Sequence, residues 1–419
     1  MSEEKRLDPT PAVMNTGETF RAPFPKKWAM TAAFICMTLG LVSCLRPPNL
    51  WSITHYLFDY RLGFIKRGLL GELLGLFFGP VFSYWTLAGI SFVIFALWLG
   101  LFMEFTRRGA RCEPRVWLLV ALFFISPGFA FLVHSIGYFD HLGLVVLMVC
   151  LLLPIRAWAF ALRLALCVSM LFVHEGFFFL GFPIAFFDVL LRWPARKRGY
   201  GVFLVFWLAV MMILTVWLAG LHLPAKQQAI FNAYLMEKVE DFKIHPNSPR
   251  VIFRDGEKNV EATDVYRETT RYRVSFVLGL LFLLPMSVLG AGCSLRLLRR
   301  AEPPGLRRKL LMAAMLYASF SPMGMHVWAW DLWRFDCWTI TASLLTFIVV
   351  VTRSGMTFEA LGCPVRVAWT LVAVAVFFSY SDAPLFDGEV RHRPPYNDYM
   401  GKFERLIDKD EPFWKIPNP

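Results

Sequence analysis

Apolar runs alternate with short polar and charged segments along almost the whole chain of 419 residues. Runs that are long enough to cross a lipid bilayer, and that end at charged residues, Pro or Gly, predict transmembrane helices. Eleven such runs fall at about 29–45, 81–104, 116–133, 142–157, 158–173, 177–191, 202–220, 274–293, 310–326, 338–352 and 366–380. The pattern therefore predicts an all-α polytopic membrane protein with about 11 transmembrane helices.

Residues 163–191 fit either one long tilted helix or two short helices that fold back at the sequence HEG, residues 174–176. The flanking sequences PIRAWAFALR and RWPARKRG are both basic, and basic flanks mark the cytoplasmic ends of membrane helices. A single crossing cannot place both flanks on the same side of the membrane. We therefore predict the folded-back pair.

The distribution of cations predicts the orientation of the chain. With the amino terminus in the cytoplasm, the clusters TRRGAR, RWPARKRG and RLLRRAEPPGLRRK all lie on the cytoplasmic side. The loops HSIGYFDHL, VHEGF and WAWDLWRFDCW, which contain a single Arg and no Lys, lie on the outer side. The charge pattern thus supports the alternation that the apolar runs predict.

The pattern predicts five consecutive regions. They are a disordered cytoplasmic leader at 1–28, helices one to seven at 29–220 with a first outer loop at 46–80, a larger outer loop or cap at 221–273, helices eight to eleven at 274–380, and an outer tail at 381–419. Leu and Phe positions in the first outer loop predict an amphipathic helix that lies in the membrane interface.

The composition of the chain excludes several classes of protein and of functional site. Hydrophobic residues make up 57% of the chain and charged residues 18%, which excludes an ordinary soluble domain. The formal net charge is +12, but the cations lie between apolar runs, so no nucleic-acid partner is predicted. The eight Cys form no CxxC pair or His/Cys metal-ligand spacing, so no metal site is predicted. The sequence also contains no Walker A, HExxH or GxSxG motif.

Unusual polar residues near the apolar runs share one side of the predicted topology. They lie at the outer ends of the helices, although loop ends are also where polar residues belong. The group comprises Asp59, Arg61, Asp140, His141, His174, Glu175, Asp331, Arg334 and Asp336. Because polar groups beside hydrocarbon are costly, a one-sided collection suggests a shared cavity.

Glu175 is the least loop-like member of this group, because the sequence SMLFVHEGFFFLGFP places it within a run of Phe residues. A carboxylate in such surroundings must be paired or protonated, which suits acid–base catalysis. The adjacent His174 is either its partner or a cap of the turn. Glu175 is therefore a candidate catalytic residue, and His174 is a candidate substrate-binding residue.

Two further outer loops offer candidates. The sequence SIGYFDHLG places Asp140 and His141 at the start of a predicted helix, where Asp is also a common cap. The sequence HVWAWDLWRFDCW combines four Trp with Asp331 and Arg334, and an aromatic belt at the membrane interface also explains the Trp. The i, i+3 spacing places Asp331 and Arg334 on one helical face, which suits binding of an anion and a sugar ring.

The sequence FDYRLGFIKRGLLGELLG, residues 58–75, combines Asp59 with cations in an amphipathic segment. Lys66 and Arg67 suit the headgroup of any membrane lipid, because long basic side chains reach the interface from a buried stem. Arg also binds phosphate in a bidentate manner, and Asp59 adds a base that lipid anchoring does not require. Chemistry on a phosphate-bearing lipid would use both.

The layout resembles that of the C-type glycosyltransferases, a superfamily of polytopic, polyprenyl-phosphate-sugar-dependent enzymes that includes surface-polysaccharide polymerases and ligases. The shared features are about eleven spans, an acidic first outer loop with amphipathic helices, further acids in outer loops, and one larger outer loop late in the chain. The sequences FDYRLGF, HEGFFFLGFP and WDLWRFD are also similar to motifs of multi-span proteins encoded with polysaccharide assembly genes. The likeness of layout covers most of the chain.

The resemblance implies sugar transfer from a polyprenyl-phosphate-linked donor to a glycan or lipid-linked acceptor, at the periplasmic face of a bacterial inner membrane. It implies that Asp59 is the base, with Glu175 and Asp140 as rival candidates. The cations that it assigns to the carrier phosphate are Arg61, Lys66, Arg67 and Arg334. Many members have an Asp-Asp or Asp-Glu pair where Tyr60 follows Asp59 here, so no cofactor is assigned and a divalent cation is left open.

Two alternatives stay open at this point. Within the same class, a polymerase or ligase that moves whole repeat units of an O-antigen or exopolysaccharide has the same layout. From another class, a transporter or flippase of a lipid-linked or anionic substrate would use the same cations. Transporters often show paired halves and polar groups at mid-membrane, whereas the acids of this chain gather on one side.

Overall fold

The structure, a computed structural model, describes residues 26–192, 198–327 and 332–356, and the regular elements in these ranges are helical. The first nine helices are α1 Lys26–Cys44, α2 Leu50–His55, α3 Leu69–Phe78, α4 Tyr84–Cys112, α5 Val116–Phe124, α6 Pro127–His134, α7 Asp140–Leu152, α8 Ala157–Val173 and α9 Phe177–Leu180. The next nine are α10 Phe182–Arg192, α11 Arg198–Gly220, α12 Gln228–Glu237, α13 Arg250–Phe253, α14 Gly256–Arg267, α15 Thr270–Phe282, α16 Leu284–Ala301, α17 Leu306–Phe320 and α18 Leu332–Ser354.

The helices of the described ranges confirm an all-α polytopic membrane protein. Five stretches are long and apolar enough to cross a membrane: Tyr84–Cys112, Gly201–Gly220, Gly279–Ala301, Leu306–Val327 and Arg334–Ser354. The pair α5 and α6, bent by 56°, would be a sixth. Helices α1, α7 and α8 are apolar but shorter, so the count of eleven stays a prediction. The predicted run at 366–380, the tail and residues 1–25 of the leader lie outside the described residues.

Capping residues and prolines set where helices begin and end. Asn49 Oδ1 accepts a hydrogen bond from Ser52 N at 2.9 Å and so caps the start of α2. Pro127 is the first residue of α6, directly after Ser126. Because a proline has no N–H group and disfavours helix in the preceding residue, α5 cannot continue through it. The predicted run at 116–133 is therefore two helices.

Helix α18 lies at the centre of the bundle. Of the apolar stretch of α18 that is long enough to cross a membrane, 89% is buried inside the protein, whereas the value for α11 is 22%. It packs against α4, α6, α10, α16 and α17. Several of its buried hydroxyl groups donate to the helix backbone, as when Thr339 Oγ1 donates to Phe335 O at 2.7 Å. The first turns of this fixed helix carry Arg334 and Trp338.

Helices α8 and α10 run in opposite directions on either side of the turn at residues 174–176. Arg163 Nη2 donates to Leu153 O at 2.7 Å, and Arg192 Nη1 donates to the same carbonyl oxygen at 3.0 Å. The chain therefore returns to the end from which it came, and the predicted folded-back pair is confirmed. We call this end, which contains Arg163, Asp188, Arg192 and Arg353, the basic end.

We call the opposite end of the bundle, which holds the turn at 174–176, the loop end. The predicted cap at 221–273 contains α12, α13 and α14 and lies against the first loop. Phe82 N donates to Lys238 O at 2.9 Å, and Glu240 N donates to Phe82 O at 3.1 Å. Backbone hydrogen bonds thus join two segments that are far apart in the sequence.

At Gly71, helix α3 packs closely against the earlier residues Tyr56 and Phe58 of the first loop. A Cβ atom at Gly71 would lie 2.0 Å from Phe58 O and 2.7 Å from Tyr56 O. A Cβ atom at Gly75, in the same helix, would meet nothing within 4 Å. Another part of the α3 surface is apolar and exposed, as an interfacial helix requires, through Leu73, Leu76, Phe77 and Phe78.

We expect Gly71→Ala to destabilise the protein by about 1–3 kcal/mol, because the added methyl group has no room beside the Phe58 carbonyl. Gly75→Ala is the matched control, since both changes add the same methyl group and the same helix propensity. Thermal unfolding of the purified variants in detergent is expected to show a lower midpoint for Gly71→Ala and an unchanged or higher one for Gly75→Ala. Equal midpoints would contradict the close packing of α3.

Candidate active site

Two arginine–carboxylate pairs lie at the loop end. In the first pair, Arg67 Nη2 donates to Glu175 Oε1 at 2.7 Å and Arg67 Nε donates to Glu175 Oε2 at 3.0 Å. This bidentate geometry is the strongest form of arginine–carboxylate contact. The side chains of Arg67 and Glu175 are 17% and 22% exposed, so solvent reaches the first pair.

The second pair is buried. Arg334 Nε donates to Asp140 Oδ2 at 2.9 Å, and Arg334 Nη2 donates to Asp140 Oδ1 at 2.8 Å. Trp338 Nε1, one turn further along α18, donates to Asp140 Oδ2 at 3.2 Å. The Asp140 side chain has no solvent exposure, so these donors replace water around its charge. Asp140 thereby fixes the position of the Arg334 guanidinium.

His174 joins the two pairs. Its Nε2 atom lies 3.3 Å from Asp140 Oδ1, and its Nδ1 atom lies 3.7 Å from Glu175 Oε2. The imidazole is almost completely buried, and the backbone of His174, directly after the end of α8, is extended. Arg67, Glu175, His174, Asp140 and Arg334 therefore form one continuous cluster, which we call the paired-charge cluster.

Arg67 has a left-handed backbone conformation, with φ at 64°. Within the described ranges it is the one residue other than glycine with positive φ. Such a conformation costs about 1–2 kcal/mol and persists where surrounding contacts determine it. The neighbouring Lys66 supplies one such contact, since its Nζ atom donates to Arg254 O at 2.6 Å. The strained residue thus directs its guanidinium toward Glu175 while Lys66 is held by the cap.

A small cavity borders the buried pair. It has room for about one water molecule. Asp140, His174 and Trp338 lie along it, but the surface that it exposes is apolar. The other lining residues are apolar or lack a side chain: Phe139, Gly143, Met170, Phe177 and Leu180. A cavity of this size is a packing gap beside the buried pair and is much smaller than a small-molecule site.

His55, at the end of α2, is a residue of this region that the sequence analysis did not single out. Its ring centroid lies 5.1 Å from that of Phe58 and 6.1 Å from that of Phe139, which lines the cavity. Its Nε2 atom is buried with no hydrogen-bond partner among the described residues. Burial, and then the positive charge of Arg67, lowers the pKa of His55 well below its ordinary value. The one available signal was a His four residues before Asp59 in the sequence.

Asp59 lies at the same end but makes its contacts with the cap. Lys238 Nζ donates to Asp59 Oδ2 at 2.7 Å, and the Tyr234 hydroxyl donates to the same oxygen. Arg61 N donates to Asp59 Oδ1 at 3.1 Å. Burial would raise the pKa of Asp59, but the hydrogen bonds from Lys238 and Tyr234 outweigh it and hold the pKa below its ordinary range. Asp59 therefore clamps the cap to the first loop, and its assignment as the base stays a prediction.

This clamp predicts a pH-dependent stability. Because the pKa of Asp59 is lower in the folded state, its contribution is present above the unfolded pKa of about 3.9 and is lost as pH falls through the folded pKa. We expect Asp59→Asn to lower the unfolding midpoint at pH 7, and the difference from the wild type to shrink below about pH 4. Thermal unfolding in detergent between pH 7 and pH 3 measures this difference.

The matched control for the clamp is Asp264→Asn, because Asp264 forms an exposed i, i+3 pair with Arg267. Its unfolding midpoint is expected to stay close to the wild-type value at every pH. An Asp59→Asn midpoint equal to that of Asp264→Asn at pH 7 would contradict the clamp.

Of the other predicted site residues, Arg61 and His141 lie outside the paired-charge cluster. The guanidinium carbon of Arg61 lies 5.6 Å from the centre of the Tyr234 ring, beside the clamp. His141 Nε2 lies 2.8 Å from Leu132 O and its Nδ1 lies 3.3 Å from Tyr138 O, so backbone groups engage both ring nitrogens. Asp331 lies outside the described residues.

Comparison of the chain with family models, with curated proteins and with solved structures finds no match. Among the described residues, no group of three or more His, Cys, Asp and Glu side chains is arranged to hold a metal ion. What the cluster offers is two guanidinium groups that suit a phosphate, one reachable carboxylate, and an imidazole between two carboxylates.

Proposed function

We propose that the protein is a membrane-embedded glycosyltransferase that takes a sugar from a polyprenyl-phosphate-linked donor. The observation that carries this proposal is the paired-charge cluster, in which Arg67 and Arg334 lie at the same end of a membrane bundle as the reachable carboxylate of Glu175. Guanidinium groups bind phosphate oxygens, and a carboxylate accepts the proton of an attacking hydroxyl group. The resemblance in layout to C-type glycosyltransferases supports the same reaction.

In the proposed reaction, the hydroxyl oxygen of the acceptor attacks the anomeric carbon of the donor sugar. The bond between that carbon and the phosphate oxygen breaks, and the lipid phosphate leaves with the electron pair. Glu175 takes the hydroxyl proton and later releases it to water. Arg67 stabilises the charge that develops on the departing phosphate. Asp140 holds Arg334 in place, and His174 lies between the two carboxylates.

The proposed location is a bacterial inner membrane, with the loop end in the periplasm and the amino terminus in the cytoplasm. The gathering of Arg163, Arg192 and Arg353 at the basic end supports this orientation, because cytoplasmic ends of membrane helices are rich in Lys and Arg. The eleven crossings proposed from the sequence would place both the cap and the carboxyl terminus in the periplasm. The partners are then the lipid-linked donor, a glycan or lipid-linked acceptor, and membrane lipid.

Two alternative functions remain as proposals. A polymerase or ligase would transfer a repeat unit through the same cluster. A flippase or transporter would use Arg67 and Arg334 without breaking a bond. The side of the membrane on which the donor accumulates distinguishes the flippase from both transferases.

The test is deletion of the gene in the organism that carries it. A transferase predicts loss of a surface glycan and accumulation of its lipid-linked donor in the outer leaflet, where an impermeant lectin added to spheroplasts binds it. A flippase predicts accumulation in the inner leaflet, out of reach of the lectin. Unchanged glycan and unchanged lipid-linked intermediates would refute both functions. Expression of the wild-type gene from a plasmid is the control.

A further inference from the structure

Within the paired-charge cluster, the positive and negative charges of the protein cancel. Arg67 and Arg334 contribute two positive charges, and Glu175 and Asp140 contribute two negative charges. Each guanidinium therefore already holds a carboxylate in the position that a phosphate would occupy. An anionic substrate can bind either arginine fork only by displacing a carboxylate of the protein.

We propose that the Arg67–Glu175 pair is a self-inhibiting contact, which the phosphate group of a lipid substrate opens by taking over Arg67, and that this opening releases Glu175 as the base. The inference rests on the proposed function for the reaction that follows. It adds that phosphate binding and activation of the base are one event.

The two pairs differ in how easily they open. Asp140 has no exposure and accepts hydrogen bonds from both Arg334 and Trp338. Glu175 is 22% exposed, and its partner Arg67 is 17% exposed. An incoming anion therefore reaches the first pair at lower cost. Lys66, bonded to Arg254 O, holds the adjacent backbone, so the exchange moves the Arg67 side chain while the loop stays in place.

The released carboxylate becomes a better base for a physical reason. Two charge-assisted hydrogen bonds from Arg67 stabilise the ionised form of Glu175 and reduce its affinity for a proton. When Arg67 turns to the phosphate, Glu175 loses both bonds while it stays largely buried beside His174. Burial without a countercharge favours the protonated form. Glu175 therefore gains affinity for a proton at the moment when the donor is bound.

A neighbouring aromatic surface favours a phosphate that carries a lipid. The rings of Phe64 and Trp217 stack with their centroids 5.4 Å apart, and the two side chains are 48% and 46% exposed. Phe64 is three residues before Arg67 in the sequence and also stacks on Tyr60 at 4.9 Å. An apolar chain attached to the phosphate can lie on this surface, whereas free phosphate gains nothing from it.

The test measures binding by the purified full-length chain in detergent, with farnesyl phosphate, farnesol and inorganic phosphate as probes. Glu175→Gln removes the competing charge and is expected to bind farnesyl phosphate about tenfold or more tightly than the wild type does. Arg67→Ala is expected to bind it about tenfold or more weakly than Glu175→Gln does. Isothermal titration calorimetry gives the dissociation constants.

Glu72→Gln is the matched control, because it makes the same chemical change in α3 at a side chain that accepts a hydrogen bond from Tyr60 N. Its affinity for farnesyl phosphate is expected to equal that of the wild type. Glu175→Asp provides a second arm, since a shorter carboxylate loosens the bidentate pair and is expected to raise affinity about threefold. If Glu175→Gln does not fold, the affinity of Glu175→Asp tests the self-inhibiting contact in its place.

Each outcome bears on the proposal. Tighter binding of farnesyl phosphate alone supports a lipid-linked ligand, and equal tightening for inorganic phosphate supports the contact but assigns free phosphate to it. Equal tightening for farnesol, or no tightening for any probe, would overturn the proposal. Because no turnover is needed, tighter binding without sugar transfer by the wild type would refute the proposed function and leave the self-inhibiting contact intact.

Discussion

Glu175→Gln is expected to reduce sugar transfer by a factor of about one hundred to ten thousand, because the amide cannot accept the proton of the attacking hydroxyl group. The substitution keeps the size of the side chain and its place in the turn after α8. The measurement is the rate of product formation in detergent extracts with saturating lipid-linked donor. Saturation is necessary because the same change is expected to tighten donor binding, which would partly hide the loss at low donor concentration.

Glu72→Gln serves again as the control for removal of one carboxylate at the loop end, and its rate is expected to stay near the wild-type value. A Glu175→Gln enzyme that retains more than about a tenth of the wild-type rate would exclude Glu175 as the base. Asp59 and Asp140 would then return as the candidates. Of these, Asp59 is held by Lys238 and Tyr234, and Asp140 is closed off from solvent.

Arg334→Ala is expected to have the largest effect on stability, about 3–5 kcal/mol, because it leaves the buried carboxylate of Asp140 without its main partner. The free energy of unfolding in detergent, from chemical denaturation, measures this loss. The double variant Arg334→Ala with Asp140→Asn is expected to recover much of it, since the uncompensated charge is then absent.

The control for Arg334 is Arg107→Ala on α4, because Arg107 forms an exposed pair with Glu104 near the other end of the bundle. Its free energy of unfolding is expected to change little. If Arg334→Ala is as stable as Arg107→Ala, or if Asp140→Asn does not rescue it, the loss of a buried countercharge is not what destabilises the variant.

The sequence predicted the folded-back turn, because the turn follows from charge. The basic flanks of residues 163–191 required a reversal at His174 and Glu175, and the structure confirms it. Hydropathy was less informative about helix length. It counts apolar residues but does not register the break at Pro127, so a run that suggested one span forms two short helices bent by 56°.

The sequence did not predict which charged residues pair with one another. Asp140 and Arg334 are far apart along the chain, and nothing in either local motif indicates the other as a partner. The pair of Asp59 and Lys238 was also not predicted, because the sequence around Lys238 resembles that of any other lysine in a polar loop. His55 was missed because a single His in an apolar stretch gives no pattern, and its importance depends on tertiary contacts with Phe58 and Phe139.

The most direct test of sugar transfer through the paired-charge cluster is reconstitution of the purified chain in lipid vesicles. The donor is the lipid-linked saccharide pool extracted from a strain that lacks the gene, and mass spectrometry follows the bond between sugar and lipid phosphate. We predict that the wild type cleaves this bond and forms a new glycosidic product, and that Glu175→Gln does neither. Movement of intact donor across the vesicle membrane without bond cleavage, or equal cleavage by Glu175→Gln, would contradict the proposed function.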